Sequence, residues 1–188
     1  MNKSDSNNMK IPFIMTLIGS VLLLVMILLP YASAKDDYKK YLKNNPNDFY
    51  VDEIKMTNAS AINISMLEYS RIYAETARQG IYREVSILCI ILISLFALFS
   101  LLTLIMSFFK KSIGIIIFDF LALVIFWLIH FDFADRGVLP NNSYKWGIAN
   151  YLTNIVGILV IVGAVWLFVE KRKIKKNRKD QQKIPIQE

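Results

Sequence analysis

Val85–Phe109 reads VSILCIILISLFALFSLLTLIMSFF, and after only Lys110-Lys111-Ser112 the chain resumes with Ile113–Phe131, IGIIIFDFLALVIFWLIHF. The first run carries no charge and the second only Asp119. Apolar stretches of about 18 residues or more are the mark of a helix that crosses a bilayer, whereas a buried core helix needs fewer.

Outward from this pair, Ile11–Leu29 and Ile148–Val169 repeat the pattern. The four blocks run about 19 to 25 residues each, enough to cross a hydrocarbon core of about 30 Å as helix. Because of them the 188-residue chain is 55% apolar with a mean hydropathy of +0.41, against roughly 45–50% apolar in soluble domains. The fold class expected is an all-α membrane protein, a four-transmembrane-helix bundle with a mixed helix/strand external loop domain between helices 1 and 2. A soluble enzyme and a disordered chain are excluded.

Charge gives the direction. All 22 Lys and Arg lie outside the four blocks. Lys3 and Lys10 precede the first, Lys110 and Lys111 link the middle pair, and Lys171, Arg172, Lys173, Lys175, Lys176, Arg178, Lys179 and Lys183 follow the last. Short cytoplasmic loops and flanks carry the cationic excess of membrane proteins. The predicted layout has residues 1–10 cytoplasmic, 11–33 as helix 1 and 34–84 as an extracellular loop domain. Residues 85–109 form helix 2, 110–112 a cytoplasmic link, 113–131 helix 3 and 132–147 a second external loop. Residues 148–169 form helix 4 and 170–188 a basic cytoplasmic tail. The Lys/Asn/Ile-rich composition suggests a bacterial cell membrane. Aromatic residues flank both ends of the blocks, as interfacial belts do. A competing reading takes the first block as a signal peptide cleaved after Ala34 in Ala32-Ser33-Ala34; its length favours a retained anchor.

The long loop holds local signals. Phe49–Thr57 is rich in strand formers but needs a pairing partner, since a lone strand leaves its edges unsatisfied. Ser65-Met66-Leu67-Glu68 fits a helix-capping box. The helix that follows places Met66, Tyr69 and Tyr73 on one face, which packs on the loop itself or docks a partner. Arg71, Glu75 and Arg78 are spaced to pair along the other side. Gly80 is the expected bend before helix 2. Asn58, Asn63 and Asn141 head glycosylation-type triplets, which carry no meaning in a bacterial chain.

Few residues bear chemistry. An ionisable group as deep as Asp119 is expensive and marks a candidate functional site. At its depth Thr16, Ser20 and Thr103 are available but no cation, so an interhelical hydrogen bond competes with a relay role. His130, Asp132 and Asp135 gather beside Arg136, a pattern too sparse for a metal site. In helix 4, Ala149, Thr153 and Gly157 recur every four residues and suit close helix packing. Asn150 and Asn154 form the adjoining row and, with His130, a candidate polar vestibule. The cluster Lys171, Arg172, Lys173, Lys175 and Lys176 suits an anionic inner leaflet rather than nucleic acid. With a single Cys and a single His, neither a disulfide framework nor a His-based triad fits within one subunit.

The expectation is therefore a non-enzymatic, multi-pass accessory, sensory or assembly subunit without catalytic residues, metal or cofactor. Its partners would be the bilayer and another membrane or extracellular protein, or itself as a homo-oligomer. The alternatives are a small oligomeric channel or transporter using Asp119, and an immunity-type membrane protein.

Overall fold

The computed structural model describes residues 3–181. Residues 1–2, the tail end 182–188 with Lys183, and the side chains of residues 3–8, 178, 180 and 181, Lys3 and Arg178 among them, lie outside what it describes. Among the described residues there are seven helices and five short strands. The chain is mostly helical, and three of its helices are long and apolar enough to cross a membrane. These are α5 (Arg83–Phe108), α6 (Ser112–Asp135) and Ile148–Asn177 within α7 (Ile148–Gln181). The fourth apolar helix, α1 (Lys3–Val25), contributes a shorter apolar stretch, Met9–Val25.

α1 ends at Val25 rather than continuing to residue 33. Ile27, Leu28 and Leu29 bond back three residues instead of four, a tightening common at helix ends. Pro30 then disfavours helix in the residue before it. The chain becomes β1 (Pro30–Ala34), with Pro30 at the strand's first position, where a missing N–H is tolerated. β1 is the centre of a three-stranded antiparallel sheet, between β4 (Asn63–Ser65) and β5 (Tyr144–Trp146). The sheet thus draws on the end of the first apolar block and on both connecting loops, not only on the loop between helices 1 and 2. The Ala-x-Ala segment is a paired central strand, with Ala32 and Ala34 buried.

The rest of the sheet end is built from local signals. α2 (Asp36–Asn44) follows β1. The strand expected at Phe49–Thr57 is a tight hairpin, β2 (Phe49–Val51) against β3 (Met56–Thr57), so its partner is itself. A single helical turn, α3 (Asn58–Ala61), leads into β4. The capping box forms as expected at α4 (Met66–Arg78): the Ser65 amide donates to Glu68 at 2.7 Å, and the Glu68 amide to the Ser65 hydroxyl at 3.2 Å. Gly80, at φ 78°, breaks α4 from α5, and Tyr82 also adopts a left-handed φ of 44°.

α5 and α6 form a helical hairpin closed by Lys110 at φ 55°, with the Lys111 amide donating to the Met106 carbonyl at 2.8 Å. Phe96 packs on Phe126 and Phe99 on Phe118 across it. α1 runs antiparallel to α7. Gly163 lies against Thr16, where an added Cβ would meet Thr16 Cγ2 at 3.0 Å, and Gly19 lies against Val160. The bundle therefore has a sheet end and a basic end, the latter holding Lys110, Lys111 and the C-terminal turns of α7.

Candidate functional site

The sheet end is closed by aromatic rings. Tyr31 of β1 is fully buried and meets Tyr69, Phe126, Phe133 and Trp146 edge-on, with centroids 6.4, 6.0, 5.7 and 5.5 Å away. Tyr69 packs on Phe133 at 5.0 Å and Tyr73 on the same ring at 5.9 Å. Met66 and Tyr69 are buried, and Tyr73 packs beside them. The face Met66, Tyr69, Tyr73 thus turns inward onto its own chain, with Tyr69 against Tyr31 of β1 and both tyrosines against Phe133 of α6, while Tyr73 stays half-buried. An apolar face with a complementary apolar face in its own chain is buried at once by the hydrophobic effect.

Beside the cap, reaching the surface at Arg136, lies a polar cluster. Arg136 pairs with Asp132 one helical turn before it and also donates to the Tyr73 hydroxyl at 3.2 Å and the Cys89 sulfur at 3.0 Å. Burial, with Cys89 nearby, pushes the Tyr73 phenol up to about 12, and the Arg136 hydrogen bond pulls the other way. His130 turns elsewhere. Its Nδ1 lies 3.0 Å from Asn150 Oδ1 of α7, and its ring stacks on Trp146 at 4.1 Å. Of the group His130, Asp132, Asp135, the first therefore turns to Asn150 and the second to Arg136, while Asp135 is exposed. Asn154 donates to the carbonyl of Asn150 on its own helix at 2.8 Å. The Asn row is engaged with itself and with His130; Asn150 is buried, while Asn154 and His130 are half-buried. Ala149 and Thr153 are fully buried, and Gly157 faces Leu123 of α6, as a close-packing face requires.

Asp119 is fully buried in α6, and neither carboxylate oxygen has a hydrogen-bond partner among the described residues. The hydroxyls at its depth do not turn to it. Thr16 donates to the Phe13 carbonyl, Thr103 to the Phe99 carbonyl, and Ser20 meets Ser107 at 2.7 Å. On α5, the buried Ser100 hydroxyl is also without a partner.

No family model, curated protein or solved structure matches this chain.

On the exposed side of α4, Glu75 pairs with Arg78 at 2.8 Å, while Arg71 donates to the Ile54 carbonyl instead. The Arg78 hydrogen bond holds the Glu75 carboxyl below its usual range. At the basic end, α7 carries Lys171, Arg172, Lys173, Lys175 and Lys176 as continuous helix. The Lys171 ammonium donates to the Lys110 carbonyl, Arg172 lies over the Phe168 ring, and Lys173 pairs with Glu170 at 2.9 Å. Between α5, α6 and α7 here is a cavity of about 490 Å³. Sequence reasoning missed it, because the side chains that line it are far apart in the chain. It also missed Cys89 as a contact of Arg136, for the same reason.

Proposed function

We propose that the chain is a four-span membrane protein, α1 included, with both ends and the Lys110–Lys111 turn on the cytoplasmic side, acting as a non-catalytic subunit of a larger assembly. The Met9–Val25 stretch is at the lower limit for crossing, about 17 residues. It packs antiparallel along α7, and its Ser20 reaches Ser107 of α5. The observation that carries the subunit reading is the aromatic closure over Tyr31. Together with the mutual bonding of His130, Asn150 and Asn154, it supports a packed sheet end rather than a mouth. The cap leaves Tyr41, Phe49 and Leu67 uncovered, and these are available to a partner or a second copy. Such large exposed apolar groups suit interaction rather than solvation when they gather in patches.

The test is twofold. In native membranes, crosslinking from the cap is expected to give one reproducible heavier species. In liposomes, proton and potassium flux is expected to stay at the level of empty vesicles. Only monomer after crosslinking would remove the subunit reading. A specific observation favours a second reading, transport: the unpartnered carboxylate of Asp119. If flux appears and is lost in Asp119→Asn, the second reading replaces the first.

A further inference from the structure

We infer that the cavity at the basic end is a site for one anionic phospholipid, holding the phosphate at the start of α6 and the upper acyl chain along the bundle. The cavity is lined by Lys111, Ser112, Lys171, Arg172 and Lys175, with Met106 and Phe168 among its apolar walls. Its volume, about 490 Å³, falls within the roughly 300–1,000 Å³ of small-molecule sites.

Three independent features point to an anion. First, the cations converge from two chain segments, and the nearest acid on α7, Glu170, is already paired with Lys173. Second, α6 begins here with no side-chain cap from Lys111 and no acid in its first turn. The Ser112 amide donates to the Lys110 carbonyl and the Ile115 amide to Lys111, which leaves the Ile113 and Gly114 amides; free amides at a helix start, with the positive end of its dipole, are a ready site for a phosphate. Third, Ser112 is only 5% exposed, lines the cavity, and its hydroxyl has no partner among the described residues. A buried hydroxyl without a partner is costly, and a phosphate oxygen would satisfy it with a charge-assisted bond. The apolar walls argue for a lipid over free phosphate, since an acyl chain can cover Met106 and Phe168 and a soluble anion cannot. Gly114 belongs to the same wall: a Cβ there would meet Met106 at 2.9 Å, so its absence keeps this corner closely packed.

The inference rests on the membrane reading but on neither the subunit role nor the orientation. Its test is made in detergent, so a failure here leaves the topology standing. The full chain in neutral detergent is titrated with dioctanoyl phosphatidylglycerol, dioctanoyl phosphatidylcholine or sodium phosphate, and adducts are read by native mass spectrometry. The expected result is one phosphatidylglycerol per chain, with phosphatidylcholine and free phosphate at least about tenfold weaker, as for a charge-assisted contact held by an apolar wall. Lys171→Gln with Arg172→Gln is expected to weaken phosphatidylglycerol by about tenfold or more, and Ser112→Ala by a smaller factor. Lys145→Gln, at the sheet end, is the control and leaves it unchanged. Because loss of Lys171 also removes its bond to Lys110, the Ser112→Ala variant carries the test if the double variant misfolds. Equal binding of phosphatidylcholine, or no effect of Ser112→Ala together with no effect of the double variant, overturns the site. Free phosphate binding as tightly as phosphatidylglycerol overturns the lipid as its occupant.

Discussion

Replacing Tyr31 tests the cap at its centre, and two variants separate ring from hydroxyl. The ring is fully buried among Tyr69, Phe126, Phe133 and Trp146, while the hydroxyl is buried with no partner among the described residues. A buried polar group left unsatisfied costs about 1–3 kcal/mol. Tyr31→Phe removes that cost and keeps every ring contact, so it is expected to stabilise the protein by about 1 kcal/mol, the low end of that range. Tyr31→Ala deletes the ring and opens a cavity, which for large aromatics costs about 3–5 kcal/mol. The edge-on contacts are worth about 0.5–1.5 kcal/mol each in other settings, and they overlap with the burial term rather than adding to it. The assay is reversible unfolding in mixed micelles followed by tryptophan fluorescence, with Trp146, 5.5 Å from Tyr31, as the local reporter. A Tyr31→Phe variant less stable by about 1 kcal/mol would mean the hydroxyl is bonded, and the packing described for the cap would be wrong. A Tyr31→Ala loss under about 1 kcal/mol would mean the ring is not buried at all.

Other consequences follow from single contacts. Ser65→Ala removes half of the capping box and should cost about 0.5–2 kcal/mol, seen as faster amide exchange in the first turn of α4 with the bundle unaffected. Gly147→Ala would drive a Cβ into the Pro30 carbonyl, where the Gly147 amide also bonds Tyr31. Overpacking against backbone of this kind costs about 1–3 kcal/mol, and protease nicking between residues 137 and 147 is the readout. Because Arg78 lowers the folded pKa of Glu75, the pair contributes fully above the unfolded carboxylate range. That contribution is lost as pH falls through the lower folded value. Glu75→Gln should therefore flatten the acid limb of a stability–pH curve, and an unchanged limb would show the pair contributes nothing.

The helices could be read from the chain, because lipid-length apolar runs and a cation bias are composition-level signals that no tertiary contact need supply. The Ser65–Glu68 box was equally legible, being a purely local hydrogen-bond exchange. What escaped was non-local. Nothing near Pro30 announces that Ala32 will pair with Trp146 on one side and Ile64 on the other. As a result the last residues of the first block read as helix when they are turn and strand. The Met66/Tyr69/Tyr73 face was visible, but its cover, Tyr31 and Phe133, comes from two other segments. Asp119 stood out by charge alone, whereas the Ser112 cavity required α5, α6 and α7 to meet.

The central claim is that four helices cross the bilayer with the sheet end outside and the basic end inside. Single cysteines placed in a Cys89→Ser background test it in one measurement: Asn7→Cys, Asn47→Cys, Asn141→Cys and Lys176→Cys, each treated in intact cells with a membrane-impermeant maleimide. The account predicts labelling at positions 47 and 141 only, with positions 7 and 176 reacting after the membrane is permeabilised. Labelling of position 176 from outside, or of positions 7 and 47 from the same side, would contradict it.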